Sequence, residues 1–411
     1  MTIEQLFGRI EQTSRSLKAA QTGVEVAESG VKTAQQQWLP DVSAQVSVSY
    51  IGNALLTDRD FSNIHGLSSP HFGNAIALEA QLPLYTGGAL SAGVSLAELG
   101  KRQAETGVRL TRQQARFVAL GQYLDLYKVD NRMRVYRENI NLTRQLIADI
   151  RQRYQQGMAL KNDITRYELQ MEQLRLALTQ LKNTRTILNH QLCNTLALSS
   201  DSFRIQPDTT LAESFCPREG EPTWQLRTAK ASPLLEQSSL NVSIAQQKER
   251  LAKSELLPKV AVVAANSFNG PITFELPPIN KNLNVWYIGV GVKYNIGALW
   301  KSNERVRQAA TETRQAQQQL AVQREQLDNS VNAAYTKYLQ TFTELETQHK
   351  SVELARQNYD VVNARYLSQL ALVTDMVDAS NIRLNAELLE IEARINIVYA
   401  YYNMKFVAGD I

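Results

Sequence analysis

Proline is missing from two long stretches of this 411-residue chain, Leu84–Gln206 and Ile279–Ile411; all eleven prolines fall within Pro40–Pro83 and Pro207–Pro278. Proline breaks helix interiors and central strands, so the two gaps are where very long helices can form. Aromatics are also scarce, at 7% of residues, while Gln, Ala, Leu, Arg and Glu dominate, as in long helices and coiled coils rather than compact globules. Only two cysteines occur, Cys193 and Cys216, at a spacing that fits no metal motif. They can pair in an oxidising compartment or stand as two separate thiols.

Other absences exclude whole function classes. The net charge of +4 is modest for the length and there is no charged tail, so no nucleic-acid partner is expected. No run reaches the roughly 18–20 apolar residues of a membrane-spanning helix. The amino terminus, MTIEQLFGRI, carries neither the basic region nor the apolar core of a signal peptide. Either the chain is cytosolic, or a leader has been removed and Met1 supplied in its place. Four histidines leave little for a catalytic or metal constellation. His65 and His71 share a loop but are too few ligands for a metal. GVGVKY lacks the third Gly and the following helix of a phosphate loop. The chain is therefore expected to be no enzyme and to hold no cofactor or metal.

What is present is periodic. In the second proline gap Val306, Ala310, Thr313, Gln317, Leu320, Arg324, Leu327, Val331, Ala334 and Tyr338 alternate spacings of four and three. Tyr136, Ile140, Thr143, Ile147, Ile150 and Tyr154 repeat the rhythm in the first. This is a heptad seam, diluted by Ala, Thr and Gln. A helix from Leu90 to Arg153 at ~1.5 Å per residue is roughly 95 Å long, more than a compact domain needs.

The proline-containing windows alternate with period two, the mark of a strand with one apolar face. VSAQVSVSY sets Val42, Ala44, Val46, Val48 and Tyr50 against Ser and Gln, and AIALEAQLPL and VWYIGVGVKY do likewise; KVAVVAANSF is a fourth, less regular case. About nine to eleven residues also suffice for a tilted strand to cross a bilayer. A sheet packed on a soluble core fits the alternation equally well. Against that stands the polar set of Ser, Gln, Gly and Lys, together with helices that carry no broad apolar face.

The chain also repeats itself. RYQQGMALKNDI at Arg153–Ile164 returns as RYLSQLALVTDM at Arg365–Met376, and Leu39-Pro40 returns as Leu257-Pro258. The first repeat covers 1–195, with strands at 41–51 and 74–84, a long helix 90–155, a turn 156–162 and a helix 163–195. A linker spans 196–233. The second repeat covers 234–411, with strands 259–268 and 285–295, a helix 299–367, a turn 368–374 and a helix 375–407. Four strands cannot close a barrel, and open edges are a hazard in water and forbidden in lipid. The strands therefore call for oligomerisation.

Leu39-Pro40 and Leu257-Pro258 opening strands, PLYTGG at Pro83–Gly88, YNIG at Tyr294–Gly297 and DMVDAS at 375–380 together resemble the TolC-like outer-membrane efflux protein family over essentially the whole chain. The resemblance implies an α+β membrane protein. Its long antiparallel coiled-coil helices would form a periplasmic α-barrel, and its four strands would join a twelve-stranded outer-membrane β-barrel in a homotrimer. It would serve as the exit duct of tripartite efflux or type I secretion, with a periplasmic adaptor, an inner-membrane pump and outer-membrane lipid as partners. The alternative is a soluble or peripheral coiled-coil scaffold with a small docking sheet.

The resemblance also assigns roles. Asp375 and Asp378, three apart on one helix face, would narrow the pore as acidic rings; the plainer alternative is two solvated surface acids. Asp163 and Tyr366 match members of a latch between the hairpins, although Ala371 stands where the family has Arg. Asp163 also suits a helix start, and Tyr154 and Tyr366 also suit packing. Gly157 and Met158 fit the family's adaptor-docking turn. Leu370 takes the equivalent place in the second turn, preceded by Gln369 where a Gly is expected.

Overall fold

The computed structural model describes residues 1–199, 203–208, 219–275 and 277–411. Two compact units emerge, each drawn from both halves of the chain. The first holds residues 1–22, 105–237 and 321–411, and the second holds 23–104 and 238–320.

The second unit contains the main sheet. Its strands are β1 (Asp41–Tyr50), β4 (Phe72–Tyr85), β5 (Lys259–Gly270) and β6 (Leu283–Lys293), antiparallel in the order β1-β4-β5-β6. Two short strands, β2 (Ala54–Leu56) and β3 (His65–Leu67), pair within the loop between β1 and β4. The register aligns Val46 with Ile76, Ile76 with Phe268, and Ala264 with Ile288. Gly87 lies beside Ser254 and Leu257 with φ +65°, and a Cβ there would come within 2.7 Å of the Ser254 carbonyl oxygen. This turn of the PLYTGG stretch therefore requires glycine.

The first unit is helical. It contains α1 (Ile3–Thr13), α4 (Lys161–Thr195), α5 (Glu221–Ala231) and α8 (Val373–Ala408), with most of α3 (Ala89–Gln155) and part of α7 (Ala298–Leu367). The two remaining helices, α2 (Arg15–Gln36) and α6 (Pro233–Ser254), follow α1 and α5 after single extended residues. These are Ser14 (ψ 120°) and Ser232 (ψ 115°), both buried. Packing comes as separate apolar clusters along the seam. One joins Leu6 and Ile10 to Leu120, Tyr123 and Leu192; another joins Trp224 to Val331, Tyr338 and Met404.

The expected linker 196–233 is more structured than a connecting segment. It includes α5, and residues 203–208 are pinned to α3 and α4. Arg185 donates to Asp130 at 2.7 Å and to the Ile205 carbonyl at 2.8 Å. Asn189 clasps the segment from both sides, donating to the Phe203 carbonyl (3.0 Å) and accepting from the Ile205 amide (2.9 Å). The Tyr123 hydroxyl accepts from the Asp208 amide at 2.8 Å. Cys193 is buried beside this segment, 3.7 Å from the Phe203 carbonyl oxygen, and burial pushes its thiol up. Cys216, its suggested partner, lies outside the described residues.

Candidate functional site at the helix-hairpin turns and the sheet faces

The repeated dodecamers build two turns of the same backbone shape. After α3, Gly157 donates to the Tyr154 carbonyl (3.0 Å) and Met158 to that of Arg153 (2.9 Å). After α7, Gln369 donates to Tyr366 (3.1 Å) and Leu370 to Arg365 (2.8 Å). Each is a Schellman cap with a left-handed residue at its pivot, Gly157 at φ +74° and Gln369 at φ +62°. The missing glycine of the second turn thus leaves the fold of the turn unchanged and costs backbone strain instead. The far ends of α4 and α8 close the same way, at Ala197 (φ +51°) and Gly409 (φ +81°).

The helices that leave these turns start alike. Asp163 accepts from the Leu160 amide at 3.1 Å, and Asp375 from the Leu372 amide at 3.0 Å. Each carboxylate sits at the third helical position and reaches back to the cap residue, as the acid of a capping box does. The leucine at the cap has no acceptor with which to complete the box. Because the acids lie inside the first turn, α4 and α8 start two residues earlier than the pattern had suggested.

Beyond this point the two copies diverge. Tyr366 is buried, 8% exposed, whereas its counterpart Tyr154 is 46% exposed. Tyr366 packs with Tyr167, Met171 and Met376 in the cluster behind the turns. Burial, and then the nearby Asp163 charge, raise its phenol above the ordinary range, opposed by Arg153. The structure thus places the two proposed latch residues close together. Arg153 adds a contact that sequence reasoning missed: its guanidinium donates to the Leu367 carbonyl at 3.1 Å, tying the end of α3 to the end of α7.

Asp375 and Asp378 are both exposed, while Met376 and Ala379, each the next residue along, are buried. The acids therefore share the outward face of α8. The position equivalent to Asp378 in the first copy is Arg166, so only the second copy carries acids at both of these positions. Met158 and Leu160 on one turn, and Leu370 and Leu372 on the other, are exposed apolar side chains.

Further along α8, Gln170 donates to Asn381 at 3.3 Å. Glu387, buried, accepts from Arg356 and Arg383, each at 3.2 Å, and from Asn139 at 3.5 Å. An open cavity of about 400 Å³ adjoins it, bordered by Arg134, Arg356, Glu390 and Arg394. The signal for Glu387 was available in AELLEIEA, where an acid interrupts an apolar run. Of the histidines, His71 bonds the Ile51 carbonyl (2.8 Å) and stacks on Tyr50, so it closes the loop after β1.

The sheet is two-faced to an unusual degree. Its strands carry four charged residues, Asp41, Glu79, Lys259 and Lys293, and the register puts all four on one face. That face is otherwise Ser, Gln, Ala, Gly and Val, with Pro83, Asn269, Leu283 and Tyr287. The opposite face has no charge: Val42, Val46, Val48, Ile76, Leu78, Leu82, Val262, Ile288 and Val290 run across it. Toward one end lie Tyr50, Phe72, Phe268 and Trp286, and toward the other Tyr85. Its side chains stay open, with Val46 at 69% and Ile288 at 68% exposure. No described helix is long and apolar enough to cross a membrane, which says nothing of strands.

The family model described as outer membrane efflux protein matches residues 6–197. No curated protein matches the chain in sequence. Solved structures do match in fold. The outer membrane protein VceC from Vibrio cholerae is 14% identical, with TM-score 0.80, covering 99% of this chain and 96% of that one. The open-state MtrE outer membrane channel of Neisseria gonorrhoeae is 13% identical, with TM-score 0.78, over 99% and 88%. The CmeC outer membrane channel of Campylobacter jejuni is 13% identical, with TM-score 0.77, over 99% and 85%. The chain therefore shares the fold of these solved outer-membrane proteins, an α+β architecture of long helices and an antiparallel four-stranded sheet.

Proposed function

We propose that this chain is one subunit of a homotrimeric outer-membrane exit duct, the passive last stage of a tripartite efflux or type I secretion system. The carrying observation is the sheet. Every strand charge lies on one face, and the other is an uncharged, mainly apolar surface, broken by Asn74, Asn266 and Asn284 and left open by the chain itself. Lipid outside and water inside account for both. Among the described residues the outer strands β1 and β6 each have one unpaired edge, which three copies joined side by side would satisfy in a closed twelve-stranded barrel.

The hairpin turns then form the periplasmic end. Asp375 and Asp378, on an exposed face, would stack two acidic rings from three subunits and favour cations. Asp163, Tyr366 and Arg153 would latch the closed state. Gly157, Met158 and Leu370 would receive a periplasmic adaptor, through which an inner-membrane pump opens the tip. The work is conduction and gating rather than catalysis. A scaffold with a docking sheet would instead need a partner protein over Val46, Val48, Leu78, Leu82, Ile288 and Val290.

Fractionation of the natural, exported protein tests this reading. A detergent-dependent, heat-modifiable trimer in the outer membrane is expected; a soluble monomer in the absence of detergent would falsify it.

A further inference from the structure

Lys259 opens β5 and Lys293 closes β6, and the register sets the two directly opposite each other. Residues so paired hold their Cβ atoms about 4.5–5.5 Å apart on the same face, where like charges are destabilising. Both lysines are exposed, and neither makes an ion pair among the described residues. Their neighbours on that face are too small to shield them. Ala261 pairs with Gly291 and Val263 with Gly289, and a Cβ at Gly289 would meet nothing within 4 Å.

Within one chain, the two carboxylates of the same face do not neutralise them. Asp41 lies in the row of Gln81 and Val263, and Glu79 in the row of Ala265. Measured along β5 from Lys259 at ~3.3 Å per residue, these rows are about 13 and 20 Å away, beyond a Debye length of about 8 Å. A directly opposed cation pair with no counter-charge from its own chain is a cost to the sheet that an anion between the two ammonium groups would relieve.

We propose that Lys259 and Lys293 form an anion-holding site on the water-facing side of the sheet, taking multivalent oxyanions such as phosphate-bearing solutes. The inference rests on the duct reading, in which this face lines the lumen. Three chains would place six ammonium groups at the end of the barrel nearer the helices. Solutes leaving the acidic tip would then meet a ring of opposite sign.

The test is planar-bilayer recording of the full-length trimer with inorganic tripolyphosphate added on the barrel side alone. The parent channel is expected to be blocked, and a Lys259→Gln/Lys293→Gln variant to need several-fold more anion for the same block. Its reversal potential in a KCl gradient should also move toward cation preference. Lys259→Arg/Lys293→Arg should keep the parent's behaviour. Equal block in the parent and the Gln variant, with trimers of equal heat stability, overturns the site and leaves the duct standing. A Gln variant that loses trimer stability but keeps the block assigns the lysines to subunit contacts and overturns it too. A parent without conductance removes the duct, and the site with it.

Discussion

Asp163 and Asp375 do the same thing in the two halves of the chain: each accepts a hydrogen bond from the backbone amide three residues before it, at 3.1 and 3.0 Å. The acid proposed to line the gate is therefore also the residue that starts its helix. Its carboxylate position is set by the backbone of Leu372, so an acidic ring built on it would be preorganised rather than mobile.

This dual role separates the two gate acids. Asp378→Asn should weaken cation preference and divalent block in planar bilayers while leaving thermal stability unchanged. Asp375→Asn should do the same and also cost about 0.5–1 kcal/mol of helix-start stability. Unchanged selectivity in an Asp375→Ala/Asp378→Ala channel would take both residues out of the pore.

The turns offer a reciprocal exchange. A non-glycine residue in the left-handed region costs roughly 1–2 kcal/mol, offset in part by the greater unfolded-state freedom of glycine. Gln369→Gly should therefore be neutral to stabilising by up to about 1 kcal/mol, and Gly157→Gln destabilising by a similar amount. Denaturant midpoints of the two variants moving in the same direction would contradict the shared geometry.

Tyr366 makes the hairpin contact alkali-sensitive. Its folded-state pKa is raised above the ordinary 10.0, mainly by burial. The neutral phenol is thus the folded form, and its contribution is fully present below about pH 10 and lost as pH rises through the folded pKa. Thermal unfolding should show a steep loss of stability above pH 10 that is shallower in Tyr366→Phe. Identical alkaline profiles would place the sensitivity elsewhere, Tyr167 being the next candidate because burial raises it as well.

The sheet faces can be told apart with one charge. Val46→Lys lies on the apolar face and should cost about 2–4 kcal/mol at mid-membrane depth, read as lost trimer in the outer membrane. Ser47→Lys, one residue on, faces the other way and should assemble normally. Equal tolerance at both positions would mean that neither face meets lipid.

Much of the architecture was written in the sequence. Proline-free stretches allow long helices because nothing interrupts the backbone ladder, period-two runs impose two-faced strands, and the repeated dodecamers mark equivalent turns. These are local properties, decided by steric and hydrophobic patterning along the chain. What only the tertiary structure decided is which member of each repeated pair does what. Tyr366 is buried while Tyr154 is exposed, because the cluster behind the turns closes over one and leaves the other outside. Gln369 takes a backbone conformation that its residue type disfavours, because two hydrogen bonds from the turn hold it there. Residues 203–208, too short to show a periodic pattern, are ordered by Arg185, Asn189 and Tyr123 from helices more than ten residues away in sequence. The register that gathers all four strand charges onto one face depends on pairing between strands nearly two hundred residues apart. Local pattern can propose such a partner, and long-range packing alone selects it.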